Sequence, residues 1–369
     1  MEREARFGFT VGPVMPVDGA GADADGARYR AVVEDCRYGQ ALGFDDVWML
    51  EHHFTDYYPS PSPLFFLSHI AAACPGLGLG TAVIVLPWYE PLRFAEDVAM
   101  LSLLSEGELH LGLGRGVARI EYEARDLDME HSRELFQEVY EITEAALSGE
   151  PFRYAGKHFT VPREVTLRPQ ARREKVYLYG ACSSPDTAAR MADMGLVPMC
   201  TSASPFEQNL DSIAAWKAKT AARGGEVDVN IPIWVHCFIA DSDEQAHEEA
   251  LEHLSAFFRS VVRHYETHLD PWKGVKTYEH NVKQMERMQA MADPANLPPF
   301  IANQLVGTPD TVAERIARYL DIGITHVSIN TAQPGRSEQS RRTSLRRFAE
   351  EVAPGFKDQG SEGRDRRAG

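Results

Sequence analysis

Glu51, His52 and His53 follow directly on the apolar run Val47-Trp48-Met49-Leu50. A carboxylate and two imidazoles at the end of a short, bulky segment are groups that hold and move protons near neutral pH. Neighbouring residues of an extended segment point to opposite faces, so only one of the two histidines can aim into a given cavity. His52 is the candidate catalytic residue, and His53 is a candidate on the substrate side. Zinc would need three or four convergent ligands, and nothing near these residues supplies that spacing, so no metal is expected.

A second set of residues suits an anion. Gly112-Leu-Gly-Arg-Gly116 places Gly114 and Arg115 where a backbone can approach a flat ligand and a guanidinium can fork onto a phosphate. Arg133 follows Ser132 at the expected start of a helix, where a cation opposes the dipole unless an anion lies between; Ser132 is the expected N-cap. Ser183 and Ser184 precede Pro185 and Thr187 at another helix start, and hydroxyls with free N–H groups there form an anion site. Each of these has a plain alternative as a turn, a solvated arginine or an ordinary cap. Together they favour a phosphate at two successive strand ends. Trp88 and Tyr89, after a β-branched run, are candidates to line a substrate pocket.

The elements that must position these groups alternate along the chain. Strands are expected at 6–12, 47–50, 79–86, 108–113, 175–181, 196–201, 231–240 and 324–330, as apolar or β-branched runs bounded by turn residues. Helices are expected between them, with the first over 29–42 after a loop at 19–25. A hairpin is expected at 152–162. Eight strands alternating with helices predict an α/β fold: a single (β/α)8 barrel, with an insertion before the last helix-strand unit. The barrel is expected over 1–355, the insertion at about 266–300, and a disordered tail over 356–369. A doubly wound sheet would need GxGxxG after an early strand, whereas these glycines are spaced GxGxG after the fourth.

Composition narrows the partners. The net charge of −16 disfavours nucleic acid and anionic membranes, and a phosphate ligand would need a local basic pocket. Five cysteines without a CxxC pair argue against a disulfide framework or zinc ribbon. No apolar segment approaches the ~20 residues of a membrane span, and the charged N-terminus lacks a signal-peptide core, so the cytoplasm is the expected compartment.

The segments LEHHFTDYYPSP, LGTAVIVLPWYEPLRFAEDVAMLSLLSEGELHLGLGRG, LDMEHSR and SSPDTAARMADMGL together resemble the bacterial luciferase-like flavin monooxygenases. The likeness spans most of residues 7–240 and returns in VGTPDTVAERIARYLDIGITHVSIN. It implies a TIM barrel that uses reduced FMN from a separate flavin reductase, with O2 as co-substrate, to oxygenate a small organic molecule through a flavin peroxide. By this resemblance His52 is the active-site histidine. Arg115, Arg133, Ser184 and Thr187 meet the FMN phosphate, and Ala82-Val83 forms a cis peptide against the flavin ring. The luciferase α-subunit has a cysteine where this chain has Gly114 and a glutamate where it has Ser183. These departures remove support for light emission and leave flavin binding. The resemblance also implies a homodimer packed through helices near the first strands. Two alternatives share the barrel: a deazaflavin (F420)-dependent oxidoreductase, and a non-catalytic partner subunit like the luciferase β-chain.

Overall fold

A computed structural model describes residues 5–14, 21–267 and 272–357. Eight parallel strands close into a ring: β1 (Arg6–Thr10), β2 (Asp46–Met49), β3 (Gly78–Val85), β4 (Leu109–Gly114), β7 (Val176–Ala181), β8 (Val197–Thr201), β9 (Ile231–Ile239) and β11 (Ile324–Asn330). Closure comes from β8 pairing with β9 and β11 with β1. The short β10 (Leu305–Gly307) adds in parallel to the C-terminal end of β9. Each expected strand is present, and the hairpin forms from β5 (Phe152–Ala155) and β6 (Thr160–Val165).

Helices cover the outside of the ring: α1 (Ala22–Ala41), α2 (Pro63–Ala73), α3 (Pro91–Leu104), α5 (Ser132–Leu147), α6 (Pro185–Met194), α7 (Phe206–Ala222), α8 (Asp243–His264), α11 (Pro309–Asp321) and α12 (Glu338–Arg347). Their ends obey local chemistry. Ser184, Ser242 and Thr308 each accept an N–H of the first turn, and Gly195 closes α6 in the left-handed region at φ 75°. Aliphatic and aromatic side chains of the outward strand faces and the helices form the main core.

Three local expectations need correction. α1 starts at Ala22, not Tyr29, because alanines and first-turn Asp23 and Asp25 favour helix where the glycines suggested a loop. α5 begins at Ser132 with His131 before it, so Ser132 is not the cap; its hydroxyl accepts from Arg115 instead. Pro354–Lys357 is a helical turn whose Phe356 ring sits 6.1 Å from that of Phe7, so chain order extends two residues into the expected tail. The rest of that tail, from 358, lies outside the described residues, as do 268–271 of the expected insertion.

The barrel interior is polar and aromatic rather than aliphatic. Trp48 points inward, and the ring closes around it only because its neighbours lack side chains: a Cβ on Gly80 would lie 2.4 Å from the indole. The Trp48 indole N–H donates to Asp46, whose other oxygen pairs with His326 at 2.8 Å. Burial alone would raise the Asp46 carboxyl, but His326, His110 and Arg6 outweigh it and hold it well below the usual carboxylate range. This layer plugs the N-terminal end of the barrel and leaves the C-terminal end open for chemistry.

Asp46→Asn keeps the shape and deletes the charge that pairs with buried His326. Loss of one partner from such a pair is expected to cost about 3 kcal/mol or more in chemical denaturation. The depressed carboxyl adds stability above its unfolded pKa near 4 that is lost as pH falls further, so the variant should lose part of the wild type's acid sensitivity below about pH 4. A cost under ~1 kcal/mol would show that the plug does not depend on this pair.

Candidate active site

The C-terminal ends of β2, β3, β4, β7, β8 and β9 meet around one cavity of about 340 Å³. His52 borders it and His53 does not, as the alternation of an extended segment requires. The His53 imidazole turns back to Glu51, donating from Nε2 at 3.0 Å. Glu51 also accepts from the Val85 N–H at 2.7 Å and the Tyr89 hydroxyl at 3.1 Å. Burial raises the Glu51 carboxyl, against these hydrogen bonds. Tyr89 and His53 therefore brace the rim and line no part of the cavity. Trp88 is also displaced from it, packed on Tyr122 at 4.4 Å with Arg125 over its face. All three expected substrate contacts thus stand behind the cavity wall, held there by Glu51 and by the segment that carries Tyr122.

That segment, α4 (Arg119–Glu123), supplies a group the sequence reading missed. Glu121 is 1% exposed and faces the cavity. It accepts the His53 backbone N–H at 3.0 Å and lies 3.7 Å from His52 Nδ1. His264, from the last turn of α8, brings Nε2 to 3.2 Å from the same oxygen, at an angle too oblique for a hydrogen bond. The ligand-capable atoms of His52, Glu121 and His264 lie within 4.8 Å of one another. Burial works to raise Glu121, but the imidazoles of His264 and His52 hold it well below the usual range. His52 is shifted down, by burial first, against a smaller upward pull from Glu121. A neutral imidazole beside a charged carboxylate can accept a proton and be stabilised on doing so.

The opposite end is basic. Arg115 borders the cavity, its NH1 donating to Ser132 Oγ at 3.2 Å and its guanidinium lying 4.8 Å from the Tyr278 ring. Ser183 and Thr187 border it too. At Ser183 the cavity adjoins a second hollow whose lining includes Arg133, Arg190, Lys283 and Arg287 with the Ser184 hydroxyl and the Asp186 carboxylate. Arg133 is shifted down by burial and by the like charges of Arg115 and Arg190. Among the described residues, Arg115, Arg133 and Arg190 make no carboxylate ion pair. Three guanidiniums with no carboxylate ion pair, with Asp186 in the same hollow and Glu130 acting on Arg133, are a grouping that suits a phosphate. Ser184 Oγ accepts the Thr187 N–H at 3.2 Å, capping α6 beside them.

The glycines between these ends have a definite job. A Cβ on Gly114 would lie 2.5 Å from Val83 Cγ2, so glycine is needed where β4 passes the Ala82–Val83 cis peptide of β3. Both of those residues border the cavity. The chain after α8 closes the top. Trp272 donates to the Val117 carbonyl at 2.9 Å, and Tyr278 to that of Gly116 at 2.7 Å. Met285 and Met288 of α9 (Glu279–Ala290) then face inward.

A family model described as luciferase-like monooxygenase matches residues 9–326. The alkanal monooxygenase alpha chain of Photobacterium leiognathi is 25% identical over 325 residues, covering 86% of this chain and 91% of its own. The oxygenase component of the flavin-dependent trigonelline monooxygenase of Acinetobacter baylyi is 20% identical, covering 89% of this chain and 90% of its own. Among solved structures, the monooxygenase RslO1 of Streptomyces bottropensis superposes with a TM-score of 0.77 at 23% identity, over 95% of this chain and 99% of that one.

Glu121→Gln keeps the hydrogen bond to His53 and removes the charge that pulls His52 up. The His52 pKa should fall by roughly one pH unit, read from its imidazole resonance in an NMR titration. An unchanged or rising value would show that Glu121 does not set the charge state of His52.

Proposed function

The chain belongs to the luciferase-like monooxygenase family, and from that premise we propose that it binds reduced FMN and, with O2, oxygenates a small organic substrate. The observation that carries this reading is the group of guanidiniums, Arg115, Arg133 and Arg190, where the cavity adjoins the second hollow, in a chain of net charge −16. Arg115, Arg133, Ser183, Ser184 and Thr187 would hold the phosphate. Gly114, Ala82 and Val83 would form the wall against the isoalloxazine ring. When bound, reduced FMN with O2 supplies the oxygen-transfer chemistry. The relative named as an oxygenase component supports a separate reductase as the source of the reduced cofactor.

The chain's own residues then have distinct tasks. Arg115 and Arg133 neutralise the phosphate and set the depth of the ligand. Tyr57, Phe257, Phe258, Val261, Met288 and Phe300 exclude water from the far end, which strengthens every polar contact inside. His52, largely neutral through its depressed pKa, accepts a proton at the rim, and Glu121 stabilises the resulting imidazolium. A homodimer fits the surface. Phe65 of α2 is 77% exposed, and Met100, Leu103 and Leu104 of the adjacent α3 are also exposed. Apolar side chains grouped on neighbouring helices suit a symmetric contact.

Purified protein should bind reduced FMN anaerobically, and Arg115→Ala should weaken it by roughly tenfold or more while barely changing the affinity for phosphate-free riboflavin. His52→Ala should keep FMN binding and lose turnover. Binding of reduced deazaflavin in preference to FMN would transfer the site to the hydride-transfer reading. Absence of both would leave the partner-subunit reading.

Leu104→Glu is expected to convert a dimer into monomers in analytical ultracentrifugation without altering FMN binding. A wild-type chain that sediments as a monomer at tens of micromolar would end the homodimer assignment.

A further inference from the structure

Two residues that border the cavity each carry a buried ring nitrogen with no hydrogen-bond partner among the described residues. Trp234 and His236 stand two apart on β9, so both point into the barrel, and both border the cavity. Their rings are 4.7 Å apart. Trp234 Nε1 and His236 Nε2 are buried and find no hydrogen-bond partner among the described residues. The rings around His236, Phe257 at 4.8 Å and Phe300 at 5.9 Å, also border the cavity. An N–H against an aromatic face is a weak contact at best.

The network behind His236 assigns its tautomer. Asn330 Oδ1 accepts the Ala332 N–H at 2.9 Å, and Gln333 Oε1 accepts from Arg336 NH1 at 3.1 Å. Neither donor can act as an acceptor, so both carboxamides must turn their NH2 groups the other way. Those groups meet His236 Nδ1 at 3.3 and 3.0 Å. Nδ1 is therefore an acceptor, and the proton sits on Nε2. Burial, with the nearby Arg336 charge, holds the His236 pKa down to about 3. The group remains a neutral donor at any pH where the protein works.

Topology places this donor pair. In the closed ring, β9 is four strands from β3 in either direction, so it faces the Ala82–Val83 wall across the barrel. Anions are disfavoured beside it. The cavity contains the Glu121 carboxylate, and Arg336 is already engaged by Glu249, Ser344 and the Cys237 carbonyl.

We propose that Trp234 Nε1–H and His236 Nε2–H form a subsite for a neutral oxygen acceptor of the substrate, such as a ketone, aldehyde or amide carbonyl, on the wall opposite the flavin. This rests on the flavin reading for the identity of the facing wall. A carbonyl of the flavin itself is the other source of a neutral oxygen, and the test separates the two.

Binding is measured by calorimetry with the FMN-loaded protein and matched probes: acetophenone against α-methylstyrene, and cyclohexanone against methylenecyclohexane, which exchange C=O for C=CH2 at constant shape. Benzoate is the anionic control. Wild type should prefer each ketone over its isostere by about tenfold, the same at pH 6 and pH 8. His236→Phe should bring the ratio close to one while changing α-methylstyrene affinity less than threefold, and Trp234→Phe should lower the ratio partway. Equal binding of ketone and isostere in both pairs, tighter binding of benzoate than of acetophenone, or no binding of any probe overturns the proposal. So does a His236→Phe variant that keeps the ketone ratio but binds FMN tenfold more weakly, because the flavin carbonyl then occupies the donors. A chain that fails to bind FMN yet keeps the ketone preference instead refutes the flavin reading and leaves the subsite standing.

Discussion

The rim depends on one buried carboxylate. Glu121 is enclosed by protein, and a charge in that position persists only where donors replace the water it has lost. The groups that face it come from distant parts of the chain: the His53 N–H, which donates to it, and the His52 imidazole after β2, and the His264 imidazole at the end of α8. Burial pulls the carboxyl one way and these groups pull it further the other way. The same contacts fix where His52 stands relative to the loop that carries Arg115. A neutral side chain at 121 would leave His52 in an apolar cavity with no charge to offset the cost of protonation.

Glu51 is the contrasting case. It accepts from His53, Val85 and Tyr89, and so ties the end of β2 to the end of β3, yet burial wins and its carboxyl is raised. One carboxylate thus braces the barrel rim while the other tunes the imidazole. His53 serves both, with its side chain on Glu51 and its backbone on Glu121. This double tether explains why the second histidine of the pair stays out of the cavity.

The strands were legible because their core-facing side chains are apolar or β-branched, and turn residues mark their ends. The phosphate-side residues were legible because strand-end glycines and helix-start serines carry local signatures. Glu121 was not, because a five-residue helix is too short to show a period and its partners lie far off in sequence. His264 and His236 were hidden for the same reason: each looks like an ordinary residue of a long helix or strand until the barrel closes. The period-two pair Trp234 and His236 within IPIWVHCFIA could have been read as inward-facing, but not their lack of partners. Trp88 and Tyr89 erred in the other direction. Aromatics after a strand suggest a pocket, and here Glu51, Tyr122 and Arg125 give them full employment behind it.

The interior polar groups differ between the two ends of the barrel. At the N-terminal end, hydrogen bonds join Trp48, Asp46 and His326, and Gly8 and Gly80 make room for the indole, so that end is a plug, although His326 Nδ1 and His110 Nε2 find no hydrogen-bond partner among the described residues. At the C-terminal end, among the described residues, Arg115, Arg133 and Arg190 make no carboxylate ion pair and the two β9 ring nitrogens find no acceptor. Leaving them unpaired costs stability, and a bound molecule that completed the set would recover it. The two incomplete sets differ in kind: cations on one side, neutral N–H donors on the other. One cavity can therefore hold an anionic ligand and a neutral one without either competing for the other's place.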